Sequence, residues 1–424
     1  MIIVDDLDEQ ARAILKGNDR GGYTVPTGGL YPYQWNWDSV FAAAGFAEHD
    51  LSRAWEEIET LFSGQWSTGM VPHIIFHKVD PSYFPGPDIW GGVGPLPSSG
   101  ISQPPIAATF IRALHALDPE GSKARVRALI PRLRDWHRWF FDWRGEGGAI
   151  CVSHPWETGR DNCPDWDGPF ANIQPEGVEQ YYRRDTTHVK EDERPRSYDY
   201  DRYLYLVKLG HDCGWDEAHL KEVSPFRVAD PTMTFTLLRA NRDLLALSQA
   251  FGEPTDEIEG WIAAIEAGSE QLWNPEIGAY DCLDMRTGEH TGVISSASFL
   301  HWFAGVGEDR MLAHYDRITS DVRFSMPSTD PAHPQYEPRR YWRGPVWGMM
   351  NWLIATGLHE AGHEDRAEAL RLNTAEVIRT GGFAEYFDPR DGSPAGGRNF
   401  TWTAATWLGW ASPNTKGITC PVSS

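Results

Sequence analysis

Four segments carry residue types that do chemistry together. His154-Pro155-Trp156-Glu157-Thr158-Gly159-Arg160-Asp161-Asn162-Cys163-Pro164 sets two carboxyls, Glu157 and Asp161, in a loop broken by Gly and Pro. A carboxyl that gives up a proton near neutral pH needs a crowded apolar pocket, and Trp156 and Trp166 offer that crowding. Arg160 opposes it if it turns inward. The other reading of this segment is a surface turn closed by an Arg–Asp ion pair. Gly381-Gly382-Phe383-Ala384-Glu385-Tyr386-Phe387-Asp388 puts Glu385 among aromatics after a Gly pair that lets the backbone approach a ligand or turn sharply. Such a Glu activates a water, or else pairs with Arg390 or Arg398.

Tyr31-Pro32-Tyr33-Gln34-Trp35-Asn36-Trp37-Asp38 combines four aromatics with one carboxylate. Aromatic faces such as Trp35 and Trp37 take the apolar C–H side of a sugar, and Asp38 could accept two of its hydroxyls. Alternatively, Asp38 is the N-cap of a helix starting near Ser39. In Tyr341-Trp342-Arg343-Gly344-Pro345-Val346-Trp347, the two Trp bracket a turn into a helix and Arg343 is a candidate for sugar or acid oxygens. Core packing is the competing reading there. Gln103 and Tyr83, in the Pro- and Gly-rich loop 80–105, are minor candidates of the same kind.

These segments need a scaffold. Periodic apolar patterns predict helices from Asp5 to Lys16, over 48–62, after Pro104-Pro105, over 122–143 with Pro131 either kinking it or starting another, and from Pro231 to Phe251. Further helices follow over 255–273, 297–303, 311–319, 345–361, 364–380 and 401–410. Strand alternation is confined to 149–154 and 321–326. Gly-, Pro- and Trp-rich loops lie between the helices, and residues 170–203 form the longest polar stretch, suited to an inserted lid or a solvated loop. The expectation is one all-α domain over 1–424, helix pairs arranged as an α/α toroid.

The chain holds 38 Lys and Arg against 60 Asp and Glu, a formal charge of −22. That disfavours nucleic acid and anionic membrane as partners. Twenty Trp residues are far above ordinary usage and fit sugar-stacking walls as well as core. Cys151, Cys163, Cys213, Cys282 and Cys420 are scattered without a CxxC, so neither a disulfide framework nor a zinc site is implied. His73 and His77 have no third ligand nearby, and VPHIIFH reads at least as well as an extended run. No metal or cofactor is expected. No signal peptide or membrane span is read, so the expected location is the cytoplasm.

Taken in order, W-N-W-D-S (35–39), S-Q-P-P (102–105), W-E-T-G-R-D-N (156–162), Y-W-R-G-P-V-W (341–347) and G-G-F-A-E-Y-F (381–387) resemble glycoside hydrolase family 63 and, more distantly, the family 37 trehalases. The opening GGYTVPTGGLYPYQWNWDS and the loop 183–203 resemble the bacterial mannosylglycerate and glucosylglycerate hydrolases within family 63. The resemblance implies an (α/α)6 barrel with a cap of loops and short helices inserted at about 65–102 and 165–205. It implies inverting hydrolysis of an α-glycosyl glycerate, with Asp161 as general acid and Glu385 as general base; Thr158 is a small departure from the usual E-S-G-x-D spelling. Tyr31, Trp35, Trp37, Asp38, Gln103, Tyr341, Trp342, Arg343 and Trp347 match residues that hold the sugar. Arg194, Tyr200 and Tyr83 are the closest matches to those that meet the glycerate. Glu157 is a rival acid, or a ligand of the substrate. An inverting pair needs carboxyls about 6.5–9.5 Å apart, which opposite sides of a barrel mouth supply. The alternative within enzymes is an α-glucosidase acting on a short oligosaccharide. Related enzymes assemble into dimers or larger, so a homo-oligomer is an open expectation.

Overall fold

The computed structural model describes residues 4–417. The Asp5 side chain and Cys420 lie outside the described residues. Just over half of the chain is helical, and the helices start where the sequence supplies caps and prolines. Asp230 accepts from Met233 N and Pro231 fills the first turn of Pro231–Phe251, which ends at Gly252 in the left-handed region. Asp118 likewise caps Pro119–Arg144, and Pro131 is accommodated inside that single helix. Asp50 caps Leu51–Ser63. Gly348–Glu360 and Glu364–Gly381 pack on each other, as do Asn36–Ala47 and Leu51–Ser63. Among the described residues no helix is long and apolar enough to cross a membrane.

The structure corrects the helical reading in several places. Small antiparallel sheets accompany the helices. The largest joins Gly145–Glu146, Ala149–Val152, Val228–Ala229, Leu283–Asp284 and Glu289–His290 in that order. Residues 321–326 are not a strand: Ser325 N and Met326 N donate to the side chains of Asn373 and Asn351, so their backbone is satisfied without a ladder. The polar stretch ends in an unforeseen helix, Ser197–Asp212. Gln34–Trp35 pairs with Ile74–Ile75, so VPHIIFH is extended.

Two features of these elements matter most for chemistry. The helix Asn36–Ala47 starts before Ser39, so Asp38 falls in its first turn, with no capping bond to make. Ala384–Phe387 and Pro394–Arg398 form a hairpin whose register shifts between Ala384 and Tyr386, which places Glu385 on a bulge. A bulge turns a strand residue away from the regular alternation and is a common device beside active sites.

Candidate active site

A cavity of about 70 Å³ opens where the ends of these elements converge. Tyr31, Trp35, Trp37 and Asp38 wall one side, with Gln103 beside them; Gln103 Oε1 accepts from Trp37 N at 3.2 Å. Tyr83, Tyr200 and Arg194 wall another side, and Asp161 and Tyr341 face in. Widely separated candidates are thus brought together. Aromatic edges buttress the wall, with Tyr31 and Tyr83 each packed T-shaped on Trp35.

Asp161 reaches the cavity through a tight turn. Gly159 sits at φ +69, and a Cβ there would come within 2.3 Å of the Trp37 ring. The neighbours of Asp161 are fixed on the far side of the loop. Arg160 is buried between Asp165 (2.9 Å) and Asp230 (2.5 Å), so it turns away from the cavity. Tyr203 Oη donates to the Asp161 carbonyl, and Asn162 Oδ1 accepts from Trp342 N. Burial pushes the Asp161 carboxyl up to about 7; the Glu385 charge acts in the same direction and Arg194 opposes it.

Glu385 is buried just behind the wall. Its carboxylate accepts from Tyr31 Oη at 3.1 Å and from Gly397 N at 2.7 Å, and Arg194 Nη1 lies 3.5 Å away. The ion pairs expected from Arg390 or Arg398 do not form: Arg390 binds Asp388. Burial raises the pKa of Glu385, partly offset by Arg194, the Gly397 N–H and Tyr31. Asp38 is raised well above the ordinary range, first by burial and then by the Glu385 charge. The Glu385 charge thus disfavours ionisation of both Asp161 and Asp38.

Arg194 stands among them. Its Nη2 donates to Tyr31 Oη at 2.8 Å and its Nε to Asp185 at 3.2 Å, while Nη1 is buried with no hydrogen-bond acceptor among the described residues. The polar stretch holding Arg194 is fastened by Glu193, whose carboxylate accepts from Arg339 and from Gly396 N and whose carbonyl accepts from Tyr386 Oη.

Besides Glu385, four candidates are not in the cavity wall. Glu157 is fully buried against Arg144 (2.9 Å) and accepts from Ser153 N at 2.7 Å, facing away from the pocket. It is neither a rival acid nor positioned to touch a ligand. Trp342 and Trp347 stack face to face at 3.9 Å in the core. Arg343 pairs with Asp167 and donates to the Asn162 carbonyl, holding the Asp161 loop from outside. Replacing Glu157 with Ala should destabilise the fold by about 3–5 kcal/mol, because it strips one partner from a buried pair. Urea denaturation measures this; an unchanged KM in the folded fraction would accompany it.

Sequence reasoning missed other wall residues. Phe400 and Trp402 line the cavity, and their place two and four residues after Arg398 was the available signal. His73 also faces it, packed on Trp156, and burial drops its pKa well below the ordinary value, leaving a neutral imidazole. His77 contacts Gln34 instead. Phe84, Asp185 and Arg184 also line it. Among the described residues no group of three or more His, Cys, Asp or Glu is placed to hold a metal ion.

Aromatic walls around closely spaced carboxyls, one of them protonatable near neutral pH, are the equipment of a carbohydrate-cleaving pocket. The chain belongs to glycoside hydrolase family 63, and the model of the mannosylglycerate hydrolase MGH1-like glycoside hydrolase domain matches residues 31–403. It is 44% identical to the mannosylglycerate hydrolase of Thermus thermophilus over 412 residues, which is 95% of this chain and 99% of that one. It is 45% identical to mannosylglycerate hydrolase MGH1 of Selaginella moellendorffii, covering 95% of this chain and 85% of the relative. The glucosylglycerate hydrolase of Mycolicibacterium hassiacum is 32% identical, with 95% and 97% covered. A crystal structure of the family 63 mannosylglycerate hydrolase from Thermus thermophilus, in complex with Tris and D-glycerate, superposes with a TM-score of 0.92 at 43% identity, over 95% of this chain and 99% of that one. A yeast neutral trehalase at 16% identity and a TM-score of 0.59 shares the fold.

Proposed function

We propose that this chain hydrolyses an α-glycosyl glycerate to hexose and glycerate, with inversion, on an (α/α)6 barrel capped by insertions at about 65–102 and 165–205. The observation that carries the reading is the pair Asp161 and Glu385. One carboxyl has a pKa of about 7; the other is held by N–H and O–H donors that favour its ionised form. Asp161 gives its proton to the glycosidic oxygen as the C1–O bond breaks. Glu385 takes a proton from the water that attacks C1 on the opposite face. Glycerate leaves as the alcohol, Glu385 releases its proton to solvent, and Asp161 regains one from solvent.

The substrate class follows from the names of the relatives and from Arg194. The unsatisfied Nη1 of Arg194 and the neighbouring Arg184 put positive charge at a pocket whose protein carries −22 overall. A charge-assisted bond to a carboxylate is worth about 1.5–3 kcal/mol. Arg194→Ala is therefore expected to lower kcat on any substrate, because Glu385 loses its ion pair, and in addition to raise KM by about 10–100-fold for the glycosyl glycerate but not for a methyl glycoside of the same hexose. Equal changes in KM on both substrates would remove glycerate from Arg194.

Proton NMR in the first minutes of turnover tests the whole reading. With α-mannosylglycerate and α-glucosylglycerate as substrates, the first hexose signal should be the β-anomer, and the two rates rank the sugars. Initial release of the α-anomer would refute inversion. No turnover of either compound would refute the glycerate assignment and favour an α-glucoside with a neutral aglycone.

A further inference from the structure

The residue beside the acid is a guanidinium, yet it never reaches the pocket. Arg160 is wholly buried and its donors are occupied on the other side of the loop. Nε donates to Thr232 Oγ1 at 2.9 Å, Nη1 to Asp165 at 2.9 Å and Ser295 Oγ at 3.1 Å, and Nη2 to Asp230 at 2.5 Å. Two of these partners, Asp230 and Thr232, belong to the start of the helix Pro231–Phe251, and Asp230 also caps that helix. Arg160 O accepts from Trp166 Nε1 at 2.8 Å, closing the loop on itself.

We propose that Arg160 is a positioning residue for the general acid. Its planar fork pins the loop 159–166 to the helix start, and the left-handed turn at Gly159 then leaves Asp161 pointing oppositely, into the cavity. The two carboxylates around Arg160 also neutralise a cation that would otherwise stand one residue from the acid and favour its ionised form. A fixed fork meets these acceptors as an ammonium does not, so Lys is a poor substitute. A shift of about 1 Å in the acid is enough to lower the rate about 10²-fold.

This inference rests on Asp161 being the general acid, and a substrate that needs no acid tests both parts. A glycosyl fluoride loses fluoride as an anion when C1–F breaks, so its hydrolysis needs the base and the water but little proton donation. Arg160→Lys is expected to lower kcat on the glycosyl glycerate about 10²-fold, while KM stays within about threefold and hydrolysis of α-mannosyl or α-glucosyl fluoride stays within about threefold of the parent. Thr232→Val, which removes one acceptor and is milder for folding, should give the same selective pattern at about tenfold. A parallel drop on the fluoride, or no drop on the glycerate, in both variants would overturn the positioning role. Asp161→Asn is the reference: if it fails to spare the fluoride, the acid assignment itself falls; if it spares it and the Arg160 and Thr232 variants do not, only this inference falls.

Discussion

Asp161→Asn and Glu385→Gln will each lower kcat on a glycosyl glycerate by about 10²–10⁴-fold, the range for a lost general acid or base. Their pH dependence separates them. The acid must be protonated to act, so activity in the parent falls as pH rises through about 7, where Asp161 ionises. The base must be ionised, so activity falls on the acid side, through a limb displaced upward because burial raises Glu385. The profile is therefore a bell whose alkaline limb lies near 7 and whose acid limb is displaced upward from the ordinary carboxylate range. Asp161→Asn should erase the alkaline limb and keep the acid one; Glu385→Gln should do the reverse. Steady-state kcat/KM across the acid, neutral and alkaline ranges decides the matter. An alkaline limb that survives in Asp161→Asn would assign the proton to another group, with Asp38 first in line.

The same substitution is expected to make the protein more stable, and only at the pH where the enzyme loses its acid. A carboxyl whose folded pKa is raised from 3.8 to about 7 costs the fold nothing while it is protonated. Below the ordinary pKa both states hold the proton, and parent and variant should match. As pH rises through the window between the two values, the unfolded chain ionises freely while the folded one resists, so stability drains away from the parent and levels off above 7. Asn mimics the protonated form. Asp161→Asn should then exceed the parent by up to about 4 kcal/mol at about pH 8 and by almost nothing at about pH 4. Urea midpoints at the two pH values test this. A variant less stable than the parent under the alkaline condition would show that Asp161 is well solvated in its ionised form.

Much of this site was legible before the fold because its residues sit in short clusters whose chemistry is unusual for loops. Asp161, Glu385, Tyr31, Trp35, Trp37, Asp38, Gln103 and Tyr83 were read in this way, and Arg194 and Tyr200 from the resemblance; all lie in or against the cavity. Proximity in sequence also misled. Glu157, Trp342, Arg343 and Trp347 belong to the same clusters, but a turn sends neighbouring side chains to opposite sides, and these four support the loops from behind. His73 was weighed only as a metal ligand, because a lone imidazole in an apolar run carries no other signal of a sugar pocket. Asp185 and Arg184 escaped notice because a polar stretch gives no sign of which charges turn inward. Helix periodicity located most of the scaffold. The helix Ser197–Asp212 was hidden by its alternating Tyr and Asp, and the Glu385 hairpin by glycines that suggest a turn.

The attachment of Glu193 ties the stretch that carries Arg194 to Glu385, the proposed base. The stretch carrying Asp185 and Arg194 is held to the Ala384–Arg398 hairpin through Arg339, Gly396 and Tyr386, and Glu385 leans on that hairpin and on Arg194 at once. An excursion of the stretch wide enough to pass a glycoside must break some of these bonds. Hydrogen exchange is therefore expected to show the amides of the stretch and of the hairpin protected together, as one cooperative unit. On the proposal that Glu385 is the base, any opening of this unit parts the base from Arg194 and leaves it out of register until the bonds re-form.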